Sequence, residues 1–452
     1  MFHASIVIPT FNRSKLLEYT IKSLLKQNAS PYMYEIIIVD DGSTDETQQM
    51  VQKYMENNHI VYFFQDKKGY RVSSARNTGI NNARGNTIIF LDSGMLVGSN
   101  FVYEHCRAHD SRATDTVIIG YIHGFQANEE DHTFIELVDF NDIDHTLQRI
   151  KESGLYQDLR EAGFTFFQDH IQNSDAPWYY FWTGNVSVQK NVLQKHGGFN
   201  EAYNTYGMED QELGFLLYDN GLDFELHRAA EAIHYPHETF AKADKKASGE
   251  KNAFKFHKKY NRLITEQFYL SLNRKFNEEL YDLKQKGDTR INYNTSYFDK
   301  FFKSSFCENN GRAILFGGHN GALLNFLQFG YVLEYHQPYF EELKRNHLDR
   351  SVYQLMGGIT PFPDKYFEYV FITDYWNCVD TKWLPKIMKE AVRIANVVHI
   401  ITEIIYNNSY VFSPQKNKQL DLLEALRSYN LSPHLCQKQN GELEMTYLEL
   451  RS

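Results

Sequence analysis

Between residue 4 and about residue 120 short apolar runs alternate with helix-periodic segments, and this rhythm constrains the fold more than any other feature of the chain. The runs are "SIVIPT", "EIIIVDDGS", "IVYFF" and "TIIFLD", separated by helical patterns over Ser14 to Gln27, Asp45 to Glu56 and Ser73 to Ala83. Such alternation predicts a doubly wound α/β sheet, with apolar strands covered on both faces by helices. Ser43 followed three residues later by Glu46 reads as a capping box opening the second helix. In "IIFLDSGMLVG" four apolar residues run into Asp92, which sits at a strand's carboxyl end, where open α/β sheets bind ligands.

A second α/β rhythm starts at Ala313 with "AILFGG", "YVLEY", "YVFITD" and "VVHIIT". A chain of 452 residues exceeds one ordinary core, so two domains are expected: 1–240, a helical linker over 241–300, and 301–452. Residues 125–175 are irregular, acidic and aromatic, which predicts an insertion or lid. The segment from about Phe240 to Asn292 carries Lys, Glu, Phe and Tyr at helical spacing and predicts joining helices.

The net charge of −10, without a basic block, argues against a nucleic-acid surface and gives no polybasic membrane anchor. No run of about 18 apolar residues occurs and no leader pattern follows Met1, so no transmembrane segment and a cytoplasmic location are expected. Cys106, Cys307, Cys378 and Cys436 lie far apart, so neither a disulfide framework nor a zinc cluster is indicated; buried thiols are expected.

Together "SIVIPTFNR", "IIIVDDGSTD", "SSARNTGINNARG", "IIFLDSG", "TGNVSVQK", "GGFNEAYNTYGMEDQELGFLL" and "AIHYPHE" resemble, in order and spacing over roughly the first 240 residues, the family 2 glycosyltransferases of GT-A fold. The resemblance implies an inverting enzyme that moves a sugar from a UDP-sugar to a glycan, peptide or small-molecule acceptor. It places Asp210 as general base, Glu209 on an acceptor hydroxyl, and Asp41 on the uracil ring. Pro9, Thr10, Asn12, Arg76, Asp92 and Ser93 would complete the donor site. The family's D-x-D motif here has Gly94 as its third residue, so a divalent cation (Mn²⁺ or Mg²⁺) would rest on Asp92 with His234, beside His237, or be absent.

Each assignment has a plainer counterpart. Asp41 could serve a helix-entry turn, Arg76 a surface ion pair, Glu209 and Asp210 helix-end charge, and His234 and His237 packing alone. The run Trp178 to Trp182 reads equally as an acceptor platform or a buried strand.

The carboxyl-terminal half resembles, less strongly, class I methyltransferases: "ILFGGHNGALL" stands at the glycine loop, Glu334 at the ribose-binding acid, and "PFPDKYFEYVFI" at the next block. Leu315 and His319 depart from that loop, since a side chain obstructs close backbone approach to a cofactor. S-adenosylmethionine binding is therefore not expected, and a non-catalytic domain is. A bifunctional glycosyl- and methyltransferase, or a nucleotide-sugar or glycan binder without turnover, are the alternatives; a homo-oligomer is left open.

Overall fold

The computed structural model describes residues 2–56, 59–237, 242–285, 312–319, 321, 324, 330–406, 409–412, 416–428, 431, 433–440 and 443–451. The chain divides into two compact units, one of Met1–Ala253 with Asn273–Asp282, the other of Phe254–Leu272 with Leu283–Ser452. Both units thus draw on the stretch expected as a linker. Its described part forms helices Lys242–Tyr260, Leu263–Ser271 and Phe276–Gln285; residues 286–300, also expected there, lie outside the described residues.

The first unit is built on β1 (Ala4–Thr10), β2 (Tyr34–Asp40), β3 (Ile60–Phe64), β4 (Thr87–Leu91), β5 (Met95–Val97), β6 (Thr116–His123), β7 (Asn185–Gln189) and β8 (Asp223–His234). They form one sheet in the order β3-β2-β1-β4-β7-β6-β8-β5. The first four strands are parallel, as expected, but β7 runs antiparallel to β4 and β6, and β5 antiparallel to β8. Thr10 pairs with Asp40 across β1 and β2, and Val7 with Phe90 across β1 and β4. That register brings Asp41 and Asp92 to the same carboxyl edge.

Helices Ser14–Leu24 and Thr47–Gln52 are shorter than the segments expected from periodicity, whereas Val72–Asn82 matches its expected segment to within one residue. The capping box does not form. The second helix begins at Thr47, whose N–H donates to Asp45 Oδ1 (3.1 Å), while Ser43 Oγ instead accepts from the Asn12 N–H (2.7 Å). Asp45 sits two residues nearer than Ser43 and wins the helix start by proximity. Residues 125–175 are also more ordered than expected. They hold helices His132–Leu137, Ile143–Ser153 and Glu161–Phe166, because Phe134, Ile143, Leu147 and Ile150 build a small core against Leu96 and Ile233.

The second unit contains β9 (Ala313–Phe316), β10 (Tyr331–Leu333), β11 (Ser351–Tyr353), β12 (Phe367–Ile372), β13 (Ala395–Tyr406), β14 (Ser409–Phe412), β15 (His434–Asn440) and β16 (Leu443–Arg451). Their order is β11-β10-β9-β12-β13-β16-β15, with β14 hairpinned to β13. The five strands from β9 to β13 are parallel, and β16 enters antiparallel between β13 and β15. Ile314, Phe316, Val332, Val370, Trp376, Ile387 and Ile400 are among its buried core. No helix among the described residues is long and apolar enough to cross a membrane.

Candidate functional site

At the carboxyl end of β2 the two adjacent aspartates divide their work. Asp40 holds the turn: Oδ1 accepts the Ser43 N–H (2.7 Å) and Oδ2 the Tyr62 hydroxyl (2.7 Å). Asp41 is thereby released from the turn. Its carboxylate accepts from Gln65 Nε2 (2.8 Å), Lys67 Nζ (3.0 Å) and the Arg71 N–H (3.2 Å), and pairs with the Arg71 guanidinium (3.2 Å). Gly42, at φ +84°, makes this possible, since a Cβ there would lie 2.7 Å from the Lys67 backbone nitrogen. Lys67 also lies 3.5 Å from the ring centroid of Phe11, which is 40% exposed at the end of β1.

The other donor-site candidates are held more structurally. Asn12 spends its side-chain oxygen on the Thr44 N–H (2.8 Å), and the Ser93 hydroxyl donates to the Pro9 carbonyl (3.0 Å), tying the ends of β1 and β4 together. Thr10 Oγ1 is buried without a hydrogen-bond partner among the described residues.

Arg76 is not a surface residue. It is 3% exposed and spans two carboxylates, Asp92 Oδ1 through NH2 (3.0 Å) and Glu209 Oε1 through NH1 (3.1 Å). The plainer reading of a surface ion pair is thus replaced by a buried bridge from the β4 end to helix Glu209–Asp219, whose aspect toward Arg76 no local pattern encodes. Asp210 follows at that helix's first turn, where Oδ1 accepts the N–H of Gln211 (2.9 Å). Met208, at φ +79°, turns the chain into the helix in a conformation L side chains avoid, a strain typical of sites that fix a reactive group. Burial, reinforced by the adjacent Glu209 carboxylate, pushes the Asp210 carboxyl up to about 8. Asp210 itself is partly accessible to solvent.

Gly94 has φ +98°, donates its N–H to Thr20 Oγ1 (2.9 Å) and accepts from the Tyr235 N–H (3.0 Å). A Cβ there would have room, 3.7 Å from His237 Nδ1 and from Leu16. The obstacle to a second carboxylate is therefore backbone conformation, not space. His234 stacks on Phe125 at 4.4 Å and lies 5.0 Å from the His237 ring. Burial, then the neighbouring His237, pushes His234 down to about 3, so its imidazole is neutral, the form that binds metals. Among the described residues no cluster of three or more His, Cys, Asp or Glu side chains is placed to hold a metal. Asp92, whose Oδ2 makes no hydrogen bond among the described residues, and neutral His234 or His237 offer two ligands, and a hard cation would take the rest from phosphate and water.

The aromatic run is neither a strand nor wholly a platform. Trp178, Tyr180 and Phe181 are buried around a 3₁₀ turn at Pro177–Tyr180, packing under helix Glu209–Asp219 through Trp178 and Phe215 (5.4 Å). Only Trp182 turns a partly open face outward, its indole N–H donating to the Tyr179 carbonyl (3.2 Å) and Phe125 set edge-on at 5.6 Å. Sequence reasoning missed Gln65, Lys67, Arg71 and Phe125. The first three sit in a loop whose only signal is two lysines and a glycine.

In the second unit the glycine-loop position is filled. His319, 1% exposed at φ +48°, donates its backbone N–H to Glu334 Oε2 (3.0 Å), and its Nε2 lies 2.8 Å from Asp374 Oδ1 and 3.1 Å from Thr373 Oγ1. Glu334 also accepts the His336 N–H (2.9 Å). The expected ribose acid is thus engaged in bracing this turn. Asn320, Ala322 and Leu323 of the same loop, and Cys307, lie outside the described residues. Of the other cysteines Cys106 is buried, as expected, but Cys378, just after a short 3₁₀ turn, and Cys436, on the edge strand β15, are only partly so.

Residues 5–171 match the family described as glycosyl transferase family 2, and residues 170–238 match the one described as the N-terminal domain of galactosyltransferase. The chain is 30% identical over 407 residues to validoxylamine A glucosyltransferase of Streptomyces hygroscopicus subsp. limoneus, covering 87% of this chain and 89% of that protein. Such coverage runs beyond the first unit. Chondroitin synthase of Pasteurella multocida (strain Pm70) is 31% identical over 237 residues, 51% of this chain and 24% of that protein. Among solved structures, S. aureus TarS 1-349 in complex with UDP-GlcNAc is 18% identical at a TM-score of 0.42, covering 61% of this chain and 73% of that one.

Proposed function

The chain belongs to glycosyl transferase family 2 and is a glycosyltransferase, and from that premise we propose that it transfers a hexose from a UDP-sugar with inversion, using Asp210 as the base. The observation that carries this reading is the arrangement Asp92, Arg76, Glu209, Asp210, in which one buried guanidinium joins a donor-side carboxylate to the carboxylate beside the base. In-line attack at the anomeric carbon needs a proton acceptor on one side of the sugar and charge stabilisation of the departing diphosphate on the other. Asp210, with its carboxyl raised to about 8, is basic enough to take a hydroxyl proton as the bond forms. Glu209, held by Arg76, orients the acceptor hydroxyl.

On the donor side, Asp41 accepts the single N–H of the uracil ring, with Phe11 at its face. A divalent cation, Mn²⁺ or Mg²⁺, would rest on Asp92 and a neutral imidazole of His234 or His237, and would supply electrostatic stabilisation of the diphosphate. With so few protein ligands, cation and donor bind together better than either alone.

For the second unit we favour a methyltransferase-like architecture without methyl transfer. The parallel order β11-β10-β9-β12-β13 supports a doubly wound nucleotide-binding ancestry. The His319–Asp374 contact supports loss of the cofactor, because it fills the turn where a cofactor would approach the backbone.

Transfer from a panel of UDP-sugars, followed by release of UDP, tests the central claim. Asp210→Asn should lose at least a thousandfold in turnover while UDP affinity stays within about threefold. Undiminished turnover in that variant would remove Asp210 from the mechanism.

A further inference from the structure

A run of hydrogen bonds crosses the first unit's sheet from helix Phe101–Asp110 to β8, and one side chain fixes its direction. Asn185, on β7 and wholly buried, sets its Nδ2 between two backbone carbonyls, of Tyr121 (3.1 Å) and Ala230 (2.8 Å). Only a hydrogen-bond donor fits there, so Oδ1 faces His105, whose Nε2 (2.9 Å) must carry the proton. His105 Nδ1 then accepts the Ser187 hydroxyl (2.8 Å), and Ser187 Oγ accepts the Nε2 proton of His109 (2.9 Å). Burial keeps both imidazoles neutral, pushing His105 down to about 3 and His109 to about 4.

The run ends on an irregularity in β8. Gly120 of β6 pairs with His227 but Tyr121 with Glu231, so Arg228, Ala229 and Ala230 are extra on β8. The Asn185 amide reaches over β6 to hold the Ala230 carbonyl, and only glycine leaves it room at position 120, where a Cβ would collide with the amide. The place of the irregularity sets how the rest of β8 meets the donor edge, because a slip of one residue turns every later side chain to the other face. Beyond it Ala232, Ile233 and His234 pair with Val97, Leu96 and Met95 of β5, and the Tyr235 N–H donates to the Gly94 carbonyl (3.0 Å). Asn185 is also paired through its backbone with Leu91, the residue before Asp92. One residue thus grips both β4, which delivers Asp92, and β8, which delivers His234.

We propose that Asn185 is a positioning residue for sugar transfer, its amide locking the irregularity of β8 so that Asp92 and His234 arrive at one edge in a fixed relation. The proposal rests on the donor-site reading of Asp92 above and adds to it a buried side chain that no substrate touches. An apolar residue of similar size would leave two carbonyls and the His105 N–H unpaired in the core, and β8 would shift to satisfy them. Asp41, at the end of β2, is separated from β7 by β1 and β4, so contacts to the nucleoside are spared.

Transfer kinetics of the full-length chain with a panel of UDP-, GDP- and dTDP-sugars, and calorimetry with the nucleoside of whichever sugar donor is used, test this in wild type, Asn185→Leu and Asn185→Asp. In Asn185→Leu kcat should fall about tenfold or more while nucleoside affinity moves less than about twofold. Asn185→Asp should recover part of the loss at pH 6, since burial favours its neutral acid, which keeps the acceptor and one hydrogen-bond donor. Equal losses in kcat and nucleoside affinity would reveal a general disturbance of the fold and overturn the proposal, as would an unchanged kcat in Asn185→Leu, or an aspartate variant no better than leucine. Use of a GDP- or dTDP-sugar in place of a UDP-sugar would instead reject the uridine reading and leave the same split to judge Asn185. Should Asn185→Leu fail to fold, Asn185→Asp decides the question: a loss of about threefold or more in kcat at unaltered nucleoside affinity supports the proposal, and an unchanged kcat overturns it.

Discussion

The aspartate pairs of this chain show how identical side chains acquire different tasks from their partners. Asp40 is consumed by a turn, which leaves Asp41 to face Gln65, Lys67 and Arg71. Asp41→Ala should therefore weaken UDP at least tenfold, about 1.4 kcal/mol, by calorimetry. A folded variant with wild-type affinity would exclude Asp41 from the nucleotide pocket. Asp210 makes a prediction of opposite sign for stability. Its carboxyl is raised to about 8 in the native protein against about 3.9 when unfolded, so the unfolded chain gives up its proton first and native stability falls as pH rises between those values. Asp210→Asn removes that loss. Its urea midpoint should exceed the wild type's by a margin that widens from pH 5 to pH 9, while wild-type turnover climbs through pH 8. A margin that is flat with pH would mean the carboxyl is not raised.

Two elements convert packing into site geometry. Helix Glu209–Asp219 rests on the aromatic run through Gly214, where a Cβ would lie 2.7 Å from Phe181 Cβ and 2.9 Å from the Trp178 carbonyl oxygen. Alanine in a helix gains about 1 kcal/mol over glycine, but a clash with backbone costs about 1–3 kcal/mol and cannot be relieved by a rotamer change. Gly214→Ala should thus destabilise the protein and lower turnover by tilting Asp210, with UDP affinity within about twofold of wild type. Unchanged turnover would show that helix and run are not coupled in this way. The turn into β5 is the other element. Gly94 at φ +98° predicts that Gly94→Ala costs about 1–3 kcal/mol in denaturant unfolding, although the added methyl has room.

For the molecule as a whole, the two units pose separate tests. In the second, the Asp374 contact of His319 and the two backbone N–H bonds to Glu334 predict that equilibrium dialysis finds no micromolar binding of S-adenosylmethionine. Micromolar binding would revive a bifunctional enzyme. In the first, the sparse ligand set around Asp92 predicts that EDTA suppresses transfer and Mn²⁺ restores it, with the cation held weakly until donor is added. Full activity in the chelator would leave the diphosphate to side chains alone.

Periodicity and position along the chain could be read from the residues alone. The alternation of apolar runs and helical patterns is local, so β1 to β4, β9, β10, β12 and the core of β13 were legible, as was the placement of Asp41, Asp92 and Asp210 at element ends. Contacts between distant segments were not. Arg76 reads as an ordinary charged helix residue until residue 209 arrives beside it, and Ser43 reads as a cap until Asn12 claims its hydroxyl. Antiparallel β7 and β5 were equally hidden, because strand direction depends on which partner a run meets rather than on its own residues. These features arise on folding, since burial and pairing are properties of segments brought together, and no local pattern carries them.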